Sequence, residues 1–330
     1  MGSRGKRICV VGATGALGGE VLTALASSAL RVSEIVPIAT DRSLGTDIEF
    51  QGEDYPIQTE MPSLRGIDLL LLCAPASVSL DCARQSLRAE VPCIDLSGAM
   101  AGSAEVPLSL GEPRDEVATA PLIAVPPGAC LAWARVLGPL KQAAGLLRIV
   151  GTSLDAASVG GRRGIDALYT ESLAIFGQSE APDPEVFPGP VAFDCLPGAG
   201  SSAESDAEQE AVLADTLARI LGARVPLTVT SVQVPAFVGH AAALAIETES
   251  DIDLAEAAAV LDKAVGVEVT AAPGSGPTMR AAAGRDVVLV GRLRRDPSRE
   301  RGLLLWLAAD LLKLSAASAV QLSVARLIRH

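Results

Sequence analysis

Three glycines, Gly12, Gly15 and Gly18, stand at G-x-x-G-x-x-G spacing directly after an apolar run at residues 8–11. A strand that breaks at glycine and passes into a helix, here over 18–28, is the local order that a dinucleotide pyrophosphate needs. Gly12 permits the tight turn, Gly15 lets a phosphate approach the backbone, and Gly18 lets the helix pack close to the strand. Thr14, Ala16 and Leu17 complete the loop, and the helix N-terminus offers N–H groups and a positive dipole end to the anion. The competing reading is a tight turn that binds nothing. A second apolar run, 34–39, ends in Thr40-Asp41-Arg42-Ser43. It falls about 25–30 residues after the first glycine, where an adenine ribose would lie. Arg42 and Ser43 suit a 2′-phosphate, because a guanidinium pairs bidentately with phosphate oxygens; Asp41 would suit a 2′-hydroxyl. The balance predicts NADP over NAD.

The elements that must hold this loop follow from the pattern around it. Strands are predicted at 7–11, 34–39, 68–73, 91–95 and 121–124, with helices at 16–28 and 77–88, the alternation of a doubly wound parallel sheet. The strand at 68–73 ends in Ala74-Pro75-Ala76-Ser77, at the carboxyl edge where such sheets bind ligands. Ala74 is therefore a cofactor candidate, with Pro75 beside it as a source of crowding. From Pro126 the texture changes. Helices are predicted at 131–144, 165–176, 204–221 and 254–263. Strands are predicted at 147–154, 227–234, 240–247, 287–293 and 303–307, with 227–234 and 240–247 as two strands of an antiparallel sheet. A glycine cluster occupies 158–164, a Pro- and acid-rich surface loop 177–190, and a last helix spans 310–327 in a 3.6-residue rhythm.

With 330 residues the chain exceeds one core, so two domains are expected. A formal charge of −12 argues against a nucleic-acid surface. No run of 18 apolar residues and no charged-then-apolar leader is found, so neither a membrane span nor a signal peptide is expected. Six cysteines without a C-x-x-C pair suggest reduced thiols in a cytoplasm. With only His240 and His330, a His-rich metal site is not expected.

Taken together, the motif Gly12-Ala13-Thr14-Gly15-Ala16-Leu17-Gly18, the Arg42-Ser43 pair, Asp95-Leu96-Ser97-Gly98-Ala99, Val106-Pro107-Leu108, Pro139-Leu140, Gly239-His240, Trp306 and Val320-Gln321 resemble the aspartate-semialdehyde dehydrogenase family along the whole chain. The resemblance implies an α/β fold: a Rossmann-type doubly wound parallel sheet domain, residues 1–125 with 310–330, and a second α+β domain with a mainly antiparallel sheet, 126–309, that forms a homodimer. It implies a cysteine nucleophile that makes an acyl-thioester, hydride transfer to NADP, release as an acyl phosphate, a histidine general acid/base, and arginines for substrate carboxylate and phosphate. It also places Gly160, in a loop like the family's Ser-Gly-Ala-Gly turn, and Gln321 near the cofactor, and Ser97 near the substrate.

Several family positions are changed. The family nucleophile follows Asn-Pro-Asn; the matching stretch here is Val125-Pro126-Pro127-Gly128-Ala129-Cys130, and ungapped alignment puts Gly128 at the cysteine position. Cys130 lies two residues on, about 200° around a helix. Ala101 stands at the phosphate-arginine position and Gln233 at the substrate-arginine position, while the position of the family base keeps His240. The pattern resembles the divergent USG-type branch of the family. Two readings result. In one, Cys130 and His240 carry oxidoreductase chemistry on an altered aldehyde or acyl-phosphate substrate, with Gln233 as a neutral substrate contact. In the other, the chain is a catalytically silent dinucleotide-binding homologue, with Cys130 a buried helix thiol and His240 a structural residue.

Overall fold

The computed structural model describes residues 5–112, 119–198, 203–270 and 276–328. Contacts divide the chain into two compact units, Met1–Pro127 with Ser315–His330 and Gly128–Leu314.

The first unit is built on a five-stranded, all-parallel sheet in the order β2-β1-β5-β6-β7. Its strands are β1 (Lys6–Val11), β2 (Val32–Ile38), β5 (Leu69–Leu72), β6 (Cys93–Asp95) and β7 (Leu122–Ala124). The central β5 is four leucines, each with no exposed surface, as expected for a parallel strand covered on both faces. Helices α1 (Ala16–Ala26) and α2 (Ala76–Arg88) are the crossovers of the first strands. A short antiparallel hairpin, β3 (Asp47–Phe50) with β4 (Glu53–Pro56), was not expected from the sequence. Its strands carry acids where an apolar alternation would have announced them, and only Phe50 is fully buried.

The second unit holds a seven-stranded mixed sheet, β12-β13-β14-β11-β8-β10-β9, in which four of six pairings are antiparallel. The long strands are β8 (Arg148–Asp155), β10 (Leu227–Gln233), β11 (His240–Glu247), β13 (Val288–Arg295) and β14 (Gly302–Ala309); β9 (Leu196–Pro197) and β12 (Val267–Val269) are short edges. β10 and β11 do not pair with each other. β8 lies between them, parallel to β10 and antiparallel to β11. Both belong to the mainly antiparallel sheet, as the sequence suggests, and this order arises because β10 returns from a helical crossover while β11 turns back on the other side of β8.

Helices α3 (Ala129–Ala144) and α5 (Ala203–Leu221) pack together over one face of this sheet, and α4 (Gly161–Phe176) and α6 (Leu254–Asp262) complete the unit's long helices. On β8 the covered face carries Ile149, Gly151, Ser153 and Asp155, all buried. The opposite face, with Val150, Thr152, Leu154, Leu304 and Trp306, is half-buried.

The final helix, α7 (Leu311–Ile328), is long and apolar enough to cross a membrane by length and composition. It is interrupted by Lys313, Gln321 and Arg326, so the chain still holds no run of 18 apolar residues. Packing explains its composition: Leu314, Ala316, Ala319 and Leu322 are buried, and the Ser318 hydroxyl donates to the Leu110 carbonyl at 2.9 Å within the first unit.

Candidate active site

At the carboxyl edge of the parallel sheet, Gly12 has φ +84, and a Cβ there would lie 2.7 Å from the Ala74 nitrogen. The β1–α1 turn and the end of β5 therefore meet backbone to backbone, which only glycine allows. Gly15 is the N-cap of α1; no side chain caps the helix, and no acid stands in its first turn. The N–H groups of Ala16, Leu17 and Gly18 are first-turn donors, which an anion can take up. Thr14 and Ser43 meet here, the Ser43 hydroxyl donating to Thr14 Oγ1 at 3.2 Å. Arg42 is exposed in the single 3-10 turn Asp41–Ser43 and makes no ion pair among the described residues. A glycine cradle, an uncapped helix terminus and an unpaired guanidinium after β2 are a donor set that fits a phosphorylated dinucleotide. Gln321 lies across the backbone of Gly111 rather than in any shown contact with this loop, and Gly160 belongs to the second unit, where Val186 packs on it.

Further along the same edge Asp95 is fully buried at the end of β6. Its carboxylate accepts from the Ser97 nitrogen at 2.9 Å, the Ser97 hydroxyl at 2.5 Å and the Met100 nitrogen at 2.8 Å. Ser97 Oγ accepts in turn from the Ala99 nitrogen. Ser97, expected beside substrate, spends its hydroxyl proton on fixing this turn. Ala101 is buried, and its methyl group offers an anion neither charge nor hydrogen-bond donor.

In the second unit Gly128 caps α3 with φ +51 and ψ −132, and a Cβ built on it would touch nothing within 4 Å. Two residues on, Cys130 is 3 % exposed. Burial pushes its thiol up to about 12, outweighing the hydrogen bonds from Thr216 and the backbone that favour the thiolate. A nucleophilic thiolate needs the opposite setting, an electropositive and accessible one.

His240 begins β11, and strand register aligns Gln233, Asp155, His240 and Ala309 in one row across β10, β8, β11 and β14. His240 Nδ1 is 3.0 Å from Asp155 Oδ1, and the Ser153 hydroxyl donates to Asp155 Oδ2 at 2.9 Å. The other ring nitrogen, Nε2, accepts from Trp133 Nε1–H at 3.1 Å. Trp133 reaches it because position 151 is glycine: a Cβ there would lie 2.3 Å from the Trp133 ring. Gln233 has no exposed surface; its amide nitrogen points to the Val234 carbonyl at 3.4 Å, and its Oε1 has no hydrogen-bond partner. Asp155 and Trp133 were missed in the sequence. The available signal was the alternation over 148–155, which puts a carboxylate on a covered face where it needs a partner. Arg162 and Arg163 of the glycine cluster are exposed and paired with Asp166 at 3.5 Å and Glu185 at 3.2 Å. Among the described residues no group of His, Cys, Asp or Glu could hold a metal ion.

Two family models match this chain: the semialdehyde dehydrogenase NAD binding domain over residues 7–120 and the semialdehyde dehydrogenase dimerisation domain over 137–313. The chain belongs to the semialdehyde dehydrogenase family. The aspartate-semialdehyde dehydrogenase of Aquifex aeolicus is 33 % identical over 330 residues, covering 97 % of each chain. That of Synechocystis is 33 % identical over 325 residues, covering 96 % of each. Among solved structures, the aspartate semialdehyde dehydrogenase II of Vibrio cholerae complexed with ASA superimposes with a TM-score of 0.91 at 28 % identity and 99 % coverage of both chains. The Candida albicans enzyme, solved with NADP, shares the fold at a TM-score of 0.74 and 15 % identity. As a semialdehyde dehydrogenase family member, the chain thus joins a dinucleotide-binding unit to a dimerisation-type unit, the architecture expected from its sequence.

Proposed function

We propose that this chain is an NADP-binding, homodimeric member of the family that forms no acyl-thioester, and that it acts through dinucleotide occupancy and dimerisation rather than through aldehyde oxidation. The observation that carries this reading is Gly128. At the position that aligns with the family nucleophile the backbone is in a region that L-residues rarely adopt, so more than a side chain has been exchanged. The nearest thiol, Cys130, is turned into the packed side of α3. The arginine positions of the family hold a buried alanine and a buried glutamine, so neither substrate carboxylate nor phosphate meets a cation there.

The cofactor half supports retention. Gly12, Thr14, Gly15, Ala16 and Leu17 would hold the pyrophosphate, and Arg42 with Ser43 the 2′-phosphate. NADP when bound supplies a hydride acceptor; this chain's residues would bind and orient it. The half-buried sheet face opposite α3 and α5 supports a self-associating unit.

The reading in which Cys130 attacks an altered aldehyde requires a reactive thiolate, and burial works against it. The test is calorimetric titration with NADP and then NAD, followed by an assay of NADP reduction with aspartate semialdehyde and phosphate. Micromolar NADP binding with no reduction is the expected result. Phosphate-dependent NADPH formation that disappears in Cys130→Ser overturns the proposal, and failure to bind either dinucleotide overturns its cofactor half.

A further inference from the structure

His240 is the acid–base side chain kept at its aligned position, and both of its ring nitrogens are already engaged. An indole N–H donates and never accepts. With Trp133 Nε1–H 3.1 Å away, His240 Nε2 must present its lone pair. The ring proton then sits on Nδ1, 3.0 Å from Asp155 Oδ1, which accepts it. Asp155 is itself oriented by the Ser153 hydroxyl on its other oxygen. A second ring proton would set two N–H donors face to face at 3.1 Å. Trp133 and His240 have no exposed surface and Asp155 is 6 % exposed, so water does not compete for these bonds.

We propose that Trp133 is a positioning residue that fixes His240 in the Nδ1–H tautomer and fills, from within the chain, the place at Nε2 where a substrate's proton would otherwise be exchanged. An aromatic side chain without an N–H would leave Nε2 a buried acceptor with nothing to accept, a costly arrangement. Gly151 completes the device by clearing the space in which the indole lies. The dyad of His240 and Asp155 has the connectivity of a general base and its orienting carboxylate, but its working nitrogen is closed by a residue of the same chain.

The experiment is nitrogen-15 NMR of the imidazole rings in the full chain at neutral pH. With two histidines only two ring systems appear, and His330→Ala identifies the other. The expected spectrum has His240 Nδ1 protonated, Nε2 unprotonated, and a through-hydrogen-bond coupling between Nε2 and an indole nitrogen. In Trp133→Phe, which keeps an aromatic ring against Gly151 and Leu244, one of two indole signals and the coupling are lost. The Nε2 resonance there moves downfield as its donor disappears. An Nε2–H tautomer in the unmodified protein overturns the proposal, as does an Nε2 resonance unmoved in folded Trp133→Phe. Should that variant fail to fold, the tautomer and the coupling in the unmodified protein still decide.

Discussion

Returning a cysteine to the position that aligns with the family nucleophile, Gly128→Cys, separates the backbone from the side chain as the reason chemistry is absent. The space is open, since a Cβ at 128 meets no atom within 4 Å. The cost is therefore conformational: φ +51 with ψ −132 is a region essentially reserved for glycine, and an L-residue held there loses about 1–3 kcal/mol. For a unit of this size that corresponds to a fall of roughly 2–12 °C in the unfolding midpoint. Gly128→Ala should lose the same amount, because both replacements meet the same strain and neither meets a neighbour. The new thiol stands exposed at the N-terminus of α3, where the helix dipole lowers thiol pKa values, so it should react readily with a chromogenic disulfide. It should nonetheless give no burst of NADPH with aspartate semialdehyde, because His240 Nε2 is taken by Trp133 and positions 101 and 233 offer no cation. Thermal melts of the two variants, thiol titration and a stopped-flow absorbance trace cover the three claims. A Gly128→Cys protein as stable as the parent would refute the strain argument, and a phosphate-dependent burst would refute the claim that the surroundings no longer support acyl transfer.

Arg42→Ala should weaken NADP binding by about 10–150-fold, the worth of a charge-assisted contact of roughly 1.5–3 kcal/mol, and leave NAD binding unchanged by calorimetry. Equal losses for both dinucleotides would remove Arg42 from the 2′-phosphate. Burial raises Cys9 and Cys130 from 9.0 to about 12. Thiols raised in the folded state give stability that is whole below the unfolded value and is lost as pH climbs through the folded one. Denaturant unfolding should therefore show stability declining as pH rises above 9, where the unfolded chain gives up thiol protons that the folded chain keeps. The decline should be shallower in Cys9→Ala. Glu171, buried in α4, accepts from the Val191 and Ala192 nitrogens at 2.7 and 2.9 Å. Glu171→Ala should cost about 2–4 kcal/mol by leaving two buried donors unmet, and Glu171→Gln, which keeps an acceptor oxygen, should recover most of it in the same unfolding assay.

The first unit was legible because its signals are local. A glycine triplet after an apolar strand and four consecutive leucines in β5 report their own environment without knowledge of distant residues. The hairpin at β3 and β4 was not, since its acids mask any alternation. In the second unit the strands were visible but their neighbours were not: the insertion of β8 between β10 and β11 depends on crossovers, which leave no trace in either strand's pattern. The same limit governs the site. Gly128 and Cys130 stand out along the chain, whereas Asp155 and Trp133 acquire meaning only once register and packing bring residues 85 and 107 positions away to one imidazole.

The assignment of Ser315–His330 to the first unit also sets an order of assembly. A ribosome releases every residue of the second unit before it delivers Ser315–His330, the segment in which Ser318 is anchored to Leu110. The nascent chain can thus complete the unit related to dimerisation while the dinucleotide-binding unit still lacks its last helix. Partners can begin to pair before the cofactor has a finished place to bind, and a chain cut short near its end loses the integrity of the unit made first rather than of the one made most recently.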